Sequence, residues 1–369
     1  MSRFIYQLSA WPDFFWNNEK ISPLVSEVRL LQGRVIGRME SIGFPSMNDA
    51  NLQSITLNVL KSSEIEGEKL DLAQVRSSIA RRLGVQVTGA VPCSRKVDNT
   101  VEMMLDATRN FNEPLNENRL FSWHSLLFQD GRSALRTIVV GKWRDNASDD
   151  PMQVVSGQPG RERVHFEAPS SARLPHEMNR YMTWFNNEMK TDPLLKAAIA
   201  HLWFVTIHPF DDGNGRIARA ITDMQLARSD GHLLRFYSMS DQIHKERTGY
   251  YDILEKTQRG TLDISAWIIW FLRCLDSAIK AAENSLSIVL KKNQFWKDHA
   301  ALALNTRQRL LLMKLLEGVE GKLTSSKWAK IAKCSQDTAG RDINYLLEKK
   351  ILQQEGGGGR STAYILRLE

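Results

Sequence analysis

A run of twelve residues in the middle of the chain, His208 to Arg219, constrains the fold more than any other feature. Its sequence, HPFDDGNGRIAR, follows an apolar segment, DPLLKAAIAHLWFVTI, and precedes a segment whose apolar residues recur at helical spacing. Pro209 ends the first predicted helix, and Gly213 and Gly215 begin the second. The sequence therefore predicts two helices joined by a short polar turn.

The turn concentrates side chains suited to phosphate chemistry. A glycine-bearing turn that opens a helix exposes unpaired backbone N–H groups at the positive end of the helix dipole, which favours anions. His208 is a candidate general base, Asp212 is a hard oxygen ligand suited to Mg²⁺, and Asn214 can donate to a phosphoryl oxygen. Arg216 and Arg219 lie three residues apart on one helix and can hold two phosphates. Phosphate is the predicted ligand.

Two other phosphate-binding motifs do not fit this chain. The glycine spacing Gly213-x-Gly215-x-x-Ala218 matches the dinucleotide fingerprint, but that fingerprint follows a buried strand, and here a predicted helix precedes it. The sequence contains no GxxxxGK[ST] motif, which excludes a P-loop.

The run HPFDDGNGRIAR resembles the signature of the Fic/Doc family, HPFx(D/E)GNGRxxR, with every specified position filled. The resemblance implies a mainly α fold, in which a helical core carries a β-hairpin flap that aligns the target. It also implies Mg²⁺-dependent transfer of AMP from ATP to a Ser, Thr or Tyr hydroxyl of a target protein, with self-modification. The phosphotransferring Doc branch carries a Lys where this chain has Gly215, so Gly215 favours AMP transfer; phosphocholine or UMP transfer remains an alternative.

The resemblance also assigns roles to individual residues. His208 would deprotonate the target hydroxyl and, with Asn214, make up the catalytic pair; Phe210 would anchor the loop. Asp212 would hold the metal. The predicted ATP-binding residues are Glu66, Asp212, Gly213, Asn214, Gly215, Arg216, Arg219, Tyr250 and Tyr251. Gln258 stands where many members have Asn, and the predicted flap, about 153–166, contains Arg163, Val164, His165 and Phe166.

A second motif lies far upstream. The segment Ser62-Ser63-Glu64-Ile65-Glu66-Gly67 matches the inhibitory motif of the same family, (S/T)xxxE(G/N). By this resemblance Ser62, Glu66 and Gly67 form a brake, in which Glu66 pairs with Arg219 and occupies the space that the γ-phosphate needs.

The C-terminal segment has a charge of its own. Residues 291–369 hold 15 Lys and Arg against 8 Asp and Glu, which accounts for the whole net charge of +7. Three predicted helices, a strand, four glycines and a second strand follow the winged helix-turn-helix plan. In such a module Gln336, Thr338 and Arg341 would face base edges of DNA, and Lys327, Lys330, Lys333 and Arg360 would meet phosphates. Winged helices also form dimer contacts, so a homodimer is an alternative prediction.

Three regions are therefore predicted: an N-terminal helical region over 1–95 that carries the brake, a catalytic core over 96–290 and a winged helix over 300–369. The further predicted helices are 20–42, Ala50–Ser63, Asp71–Leu83, 95–130 with a break at Pro114, Leu174–Met189, Leu194–Ile207, Gly215–Arg228 and Asp263–Lys292. The predicted strands are Thr137–Val140, Gln153–Val155 and Arg163–Phe166, the last two forming a hairpin.

Composition excludes other classes of protein. At 42% hydrophobic residues and without a run of about 18 apolar residues, the chain is predicted not to enter a membrane. The N-terminus lacks the pattern of a signal peptide, which favours a cytoplasmic location, and Cys93, Cys274 and Cys334 are predicted to be reduced thiols. Two rival functions fit the same motifs: a DNA-binding transcriptional regulator whose Fic core senses nucleotide, and an enzyme that removes AMP.

Overall fold

The computed structural model describes residues 4–40, 44–87, 89–133, 136–147, 150–157, 161, 163–232, 234–317, 322–355 and 362–367. Within these residues the fold is mainly α-helical, as predicted, with three short antiparallel strand pairs. None of the described helices is both long enough and apolar enough to cross a membrane.

Fourteen helices lie within the described residues. They are Asn18–Glu40 (α1), Phe44–Ile65 (α2), Leu72–Leu83 (α3), Arg95–Arg109 (α4), Glu117–Leu127 (α5), Leu174–Asn187 (α6), Pro193–Ile207 (α7), Asn214–Asp230 (α8), Met239–Lys245 (α9), Arg247–Gln258 (α10), Ser265–Asp298 (α11), Thr306–Glu317 (α12), Ser325–Ile331 (α13) and Gln336–Glu348 (α14). The strands are Arg132–Ser133 (β1), Arg136–Thr137 (β2), Gln153–Ser156 (β3), Arg163–Glu167 (β4), Leu352–Glu355 (β5) and Ala363–Leu366 (β6), paired in consecutive order. Short 3₁₀ helices occupy Ile5–Gln7 and Ser171–Arg173.

The chain divides into two compact units, residues 1–283 and 284–369. The first unit is built around α7, in which every residue from Leu194 to Ile207 is buried. The helix begins at Pro193, where Asp192 accepts a hydrogen bond from the N–H of Leu194 at 2.8 Å, and its largely apolar sequence requires neighbours on all sides. Helix α8 packs along it, and α4 packs on α8. The turn between α7 and α8 therefore lies between the two central helices of the unit.

Helices α6 and α11 are tied to α7 by side chains that reach its backbone. The Tyr181 hydroxyl donates to the carbonyl of Ala200 at 3.1 Å, and the Trp267 indole N–H donates to the carbonyl of Ala198 at 2.8 Å. Helix α2 packs against α3 and α9, and its end approaches α8. These contacts bring the upstream motif at residues 62–67 to the start of α8.

The second unit has its own apolar core of α12, α13, α14 and the β5–β6 pair, around Leu311, Trp328, Ile343 and Leu346. This order of three helices and an antiparallel pair agrees with the predicted elements. The four glycines, at 356–359, lie outside the described residues. Assignment of the unit as a winged helix, and the predicted boundaries at residues 95 and 290, stay predictions.

One predicted strand is wrong. Of Thr137–Val140, only Thr137 is in a strand, because the pairing with the β1 segment does not continue past Ile138. The N–H of Ile138 donates to the carbonyl of Gly131 at 3.1 Å, and that of Val139 donates to the Asp211 carboxylate at 2.9 Å. The predicted hairpin at β3 and β4 is confirmed, with a bulge between Val154 and Val155. The predicted helix end near Gly43 lies outside the described residues.

Candidate active site

The turn from α7 to α8 has two residues in the left-handed region. His208 caps the C-terminus of α7 with φ of 52°, a conformation that is uncommon for residues other than glycine. Gly213 has φ of 79° and begins α8, and a Cβ there would lie 2.8 Å from Cε2 of Phe128. This turn therefore has a fixed shape that Gly213 makes possible.

Phe210 anchors the turn, as the family resemblance implies. Its ring is fully buried and stacks on the His124 ring at a centroid distance of 4.2 Å and an interplanar angle of 8°. The Asn214 side chain closes the loop: its Oδ1 accepts from the N–H of Phe210 at 3.0 Å, and its Nδ2 donates to the Phe210 carbonyl at 2.8 Å. The structure thus places the Asn214 amide, predicted to donate to a phosphate, on the backbone of its own loop.

Arg144, which the sequence pattern did not single out, fixes the same loop from outside. This residue is 2% exposed; its Nε donates to the His208 carbonyl at 2.8 Å, its Nη2 donates to the Pro169 carbonyl, and its backbone N–H donates to the Pro209 carbonyl at 3.0 Å. Burial lowers the pKa of Arg144 to about 10, so the side chain stays charged at neutral pH. Its guanidinium therefore fixes the backbone of His208, from which the imidazole ring extends.

We expect Arg144→Met to lower the free energy of unfolding by about 3 kcal/mol, since it leaves buried carbonyls at His208 and Pro169 without donors. Urea denaturation followed by tryptophan fluorescence measures the change. Lys142→Met is the matched control, because Lys142 is exposed and lies two residues earlier. Equal midpoints for both variants would show that Arg144 contributes nothing to the loop.

The geometry of His208 fixes its tautomer. The half-buried ring places Nδ1 3.2 Å from the carbonyl of Val205, and a carbonyl oxygen can only accept, so the proton is on Nδ1 and the lone pair on Nε2. Burial lowers the pKa of His208 to about 4, Arg144 adds to the decrease, and the Val205 carbonyl and the Glu66 carboxylate oppose it. Nε2 is therefore a proton acceptor at neutral pH.

The protonation of His208 is directly testable. Because its folded-state pKa of about 4 lies below the unfolded value of about 6.5, the folded protein keeps the ring neutral where the unfolded chain takes up a proton. The stability due to the neutral ring is present above pH 6.5 and is lost as the pH falls towards 4. NMR titration of the imidazole carbons, assigned with His208→Asn, is expected to show no change of His208 above pH 5.5. A midpoint near 6.5 would contradict the burial of the ring.

Arg219 pairs with the upstream motif. The side chain is 1% exposed; its Nε donates to the Ser62 hydroxyl at 2.9 Å, and its Nη2 donates to the Ser62 carbonyl and to Oε1 of Glu66, both at 2.8 Å. A Cβ on Gly215 would overlap Oε1 of Glu66, so this carboxylate lies directly on the first turn of α8. Among the described residues, the buried Nη1 of Arg219 has no hydrogen-bond partner. The predicted Glu66–Arg219 pair is present in the structure.

Arg216 has a partner that the sequence pattern did not indicate. Its Nη1 donates to Oε2 of Glu68 at 2.7 Å, and its guanidinium lies 4.9 Å from the centre of the Phe128 ring. Its Nε is buried and unpartnered within the described part of the chain. Within the described residues, each arginine of the turn thus holds a carboxylate and has one buried nitrogen without a hydrogen-bond partner.

The carboxylate of Asp212, the predicted metal ligand, has a contact at each oxygen. Its Oδ1 accepts from the N–H of Gly213 at 2.5 Å, and its Oδ2 accepts from the hydroxyl of Ser133. No group of three or more His, Cys, Asp or Glu that could hold a metal ion occurs among the described residues. Because Mg²⁺ is held by one or two carboxylates when substrate phosphates and water supply the remaining oxygens, the half-buried Asp212 fits a metal that arrives with a nucleotide.

The two tyrosines predicted for the adenine pocket lie on α10 in different environments. Tyr250 is buried, and its hydroxyl contacts Nε2 of His201 at 2.8 Å, while Nδ1 of the same ring contacts the Thr222 hydroxyl at 2.9 Å. Tyr251 is 38% exposed, and Gln258 donates to the Thr206 hydroxyl at 3.3 Å. Tyr250 is therefore part of the core, and Tyr251 presents a ring to solvent.

The predicted flap residues lie on β4, which is fastened to α10. Glu255 on α10 contacts Nδ1 of His165 at 2.6 Å and Nη2 of Arg163 at 3.0 Å, and Arg259 donates to the Val164 carbonyl at 2.9 Å. The buried ring of Phe166 packs on Phe4 at 5.0 Å, Val164 is 36% exposed, and the tip at 158–160 and residue 162 lie outside the described residues.

The residues predicted to read DNA lie on α14 in the second unit. Gln336 and Arg341 are exposed, and Thr338 is half-buried. Gln336 donates to the Ser326 hydroxyl at 2.9 Å, and the hydroxyls of Thr338 and Ser335 are 2.8 Å apart. Lys330 and Lys333 are also exposed, Lys327 is half-buried, and Arg360 lies outside the described residues. DNA contact stays a prediction.

Comparisons with known proteins identify the class of domain. Residues 114–226, which contain the whole turn, match the model of the Fic/DOC family, and residues 4–85, which contain Glu66 and Glu68, match a domain of unknown function, DUF4172. A crystal structure of a Fic family protein from Desulfovibrio desulfuricans superimposes with a TM-score of 0.55 at 21% identity, over 96% of this chain and 98% of the other. The chain therefore contains a Fic/DOC family domain in a Fic fold.

Curated relatives carry a named activity. The chain is similar to "Protein adenylyltransferase Fic" of Aedes aegypti, with 26% identity over 240 residues, and to the protein of the same name from Culex quinquefasciatus, with 27% identity over 238 residues. These matches cover 63% and 62% of this chain but only 43% and 42% of the relatives.

Proposed function

We propose that this protein is an adenylyltransferase that moves AMP from ATP to a Ser, Thr or Tyr hydroxyl of a target protein and of itself, and that Glu66 holds it inactive. The observation that carries the proposal is a pair of buried guanidinium nitrogens, Nε of Arg216 and Nη1 of Arg219 in the first two turns of α8, that have no hydrogen-bond partner among the described residues. Buried donors without acceptors are rare in native proteins, and a polyphosphate would satisfy both. The curated relatives named as adenylyltransferases support the same reaction.

The reaction is an in-line displacement at the α-phosphorus. The neutral Nε2 of His208 takes the proton of the target hydroxyl, the hydroxyl oxygen forms a bond to the α-phosphorus, and the bond to the β-phosphate oxygen breaks to release pyrophosphate. A nucleotide's phosphate charge beside the ring would raise the pKa of His208 from about 4 towards neutrality and make it a stronger base.

The surrounding residues bind and orient the phosphates. The backbone N–H groups from Gly213 to Gly215, at the positive end of α8, would face the α- and β-phosphates, while Arg216 and Arg219 would hold the β- and γ-phosphates. Asp212 would hold Mg²⁺, which when bound neutralises charge on the β- and α-phosphate oxygens. Phe210 and Arg144 hold the loop in its observed conformation, and the flap strand β4 would align the target segment.

Glu66 opposes this arrangement by charge and by volume. Its carboxylate lies against Gly215 and on Nη2 of Arg219, where a γ-phosphate oxygen would lie. Two anions cannot share that position without strong repulsion. ATP would therefore bind in a pose from which the α-phosphorus is not attacked until Glu66 moves away.

The test is transfer of label from two forms of ATP. Glu66→Gly protein is incubated with Mg²⁺, cell lysate and ATP labelled at either the α- or the γ-phosphate, and intact-mass analysis of the purified protein follows. Label from α-labelled ATP only, with a mass gain of one AMP, supports the proposal. Label from γ-labelled ATP would identify a phosphotransferase, and the absence of both labels would overturn transferase activity.

A further inference from the structure

Glu68 lies outside the inhibitory motif, yet it contacts the other arginine of the catalytic turn. Two residues after Glu66, its Oε2 accepts from Nη1 of Arg216 at 2.7 Å. The side chains of Arg216 and Glu68 are 8% and 17% exposed, so the pair is largely shielded from water. Such a charge-assisted hydrogen bond is stronger than one on an open surface.

The backbone turn after α2 explains how two carboxylates reach two arginines. Helix α2 ends at Ile65, and the N–H groups of Glu66 and Glu68 both donate to the Ser63 carbonyl, at 3.1 Å and 3.0 Å. Between them Gly67 has φ of 81°, which is strained for any residue with a Cβ. This turn directs Glu66 to Arg219 and Glu68 to Arg216.

A third helix holds Glu68 in place. Its Oε1 forms an ion pair with Nζ of Lys96, near the start of α4, while its Oε2 is on Arg216 of α8. Glu68 therefore bridges two helices of the first unit. Since Lys96 has 63% of its side chain exposed, most of the strength of this bridge comes from the shielded Arg216 contact.

We propose that Glu68 is a second inhibitory carboxylate, which occupies Arg216 and must release it before the phosphates of a nucleotide can bind there. The inference rests on the proposed function, because it takes Arg216 as a phosphate ligand. Glu66 and Glu68 then act as a paired lock in which each glutamate neutralises one arginine of the turn. ATP competes with both carboxylates, whereas AMP, which has no β- or γ-phosphate, competes with neither.

A structural alternative makes the opposite prediction. If Glu68 served only to orient Arg216 for the nucleotide, its loss would weaken ATP binding. Glu64 supplies the matched control: it lies in the same segment but pairs with Lys61 at 2.6 Å and with His244 at 3.4 Å, away from the turn. Glu68→Gln and Glu64→Gln make the same isosteric change, but the first removes a carboxylate from Arg216 and the second removes one from Lys61.

The experiment measures binding of Mg²⁺·ATP and of AMP by calorimetry in a His208→Asn background, which prevents turnover and keeps at position 208 a residue that tolerates the left-handed backbone. Adding Glu68→Gln is expected to tighten ATP binding by roughly 5-fold or more, to leave AMP binding unchanged, and to exceed the effect of Glu64→Gln. Adding Glu66→Gly instead gives, as a reference, the ATP affinity of a site in which Arg219 no longer pairs with a glutamate.

The outcomes separate the two proposals. Tight ATP binding after Glu66→Gly, with an unchanged or weaker affinity after Glu68→Gln, overturns the role of Glu68 alone. Absence of ATP binding even after Glu66→Gly overturns the proposed function and this inference together. Tighter ATP binding from both Glu66→Gly and Glu68→Gln, with a further gain when they are combined, supports the paired lock.

Discussion

Replacing Glu66 by glycine raises the expected rate of AMP transfer by roughly 100-fold. The Glu66–Arg219 contact is a charge-assisted hydrogen bond to a side chain that is 1% exposed. Bonds of this kind are worth about 1.5 to 3 kcal/mol, and each 1.4 kcal/mol corresponds to a factor of about ten in the competition with ATP. The change also clears the volume beside Gly215 that a phosphate would fill. The measurement is the initial rate of label transfer from α-labelled ATP at fixed concentrations of ATP and Mg²⁺.

Two controls separate charge from volume in this prediction. Glu66→Gln keeps the size of the side chain and removes the charge, so its rate should lie between those of the wild type and Glu66→Gly. Glu64→Gln should transfer at the wild-type rate, since Glu64 does not contact the turn. If Glu66→Gly bound ATP with its loop intact and still transferred AMP no faster than the wild type, Glu66 would not be a brake.

The parts of the site that the sequence predicted are those encoded by contiguous residues. Helices α7 and α8 and the turn between them follow from a largely apolar segment, a proline and two glycines, and each of these signals affects only the residues next to it in the sequence. The contact between Glu66 and Arg219 joins residues 153 positions apart, and it was predicted only because a family resemblance linked the two motifs. Neither periodicity nor composition indicates such a pair.

The contacts that the sequence did not predict are long-range and polar. Arg144 reaches the His208 carbonyl across 64 positions, and Glu68 reaches Arg216 across 148. An isolated arginine or glutamate outside the predicted helices is expected to be a solvated side chain, and its burial becomes visible only when the helices are packed. The sequence also did not predict helices α9 and α10. Helix α10 buries only Tyr250, Leu254, Thr257 and Gln258, so its apolar periodicity is weak.

The local sequence predicts that the Asn214 side chain donates to a phosphate, but the packing of that side chain gives it a different contact. A polar amide beside a glycine at a helix start favours anion binding when it is read alone. In the folded chain the side chain is 2% exposed, and both of its polar atoms hydrogen-bond the backbone of Phe210. Its contribution to the turn is therefore to hold the shape of the loop, which a linear motif cannot distinguish from ligand contact.

Removing the His208 imidazole should have the second large effect. In the Glu66→Gly background, His208→Ala is expected to lower the rate of AMP transfer by about 10²- to 10⁴-fold, the range that a positioned general base contributes. Binding of ATP should change little, because the Arg216 and Arg219 guanidinium groups remain. His176→Ala, which changes an exposed histidine on α6, should leave the rate as it is. Single-turnover label transfer at saturating ATP measures the rate.

Alanine at this position changes two properties at once, since residue 208 has φ of 52° and alanine seldom adopts the left-handed region. His208→Asn separates them, because asparagine tolerates that conformation and cannot accept the proton as imidazole does. A low rate in both variants, with unchanged thermal stability of His208→Asn, assigns the loss to the missing base. A normal rate in His208→Asn would mean that residue 208 only shapes the turn, and the proton of the target hydroxyl would then have to pass to a group other than His208.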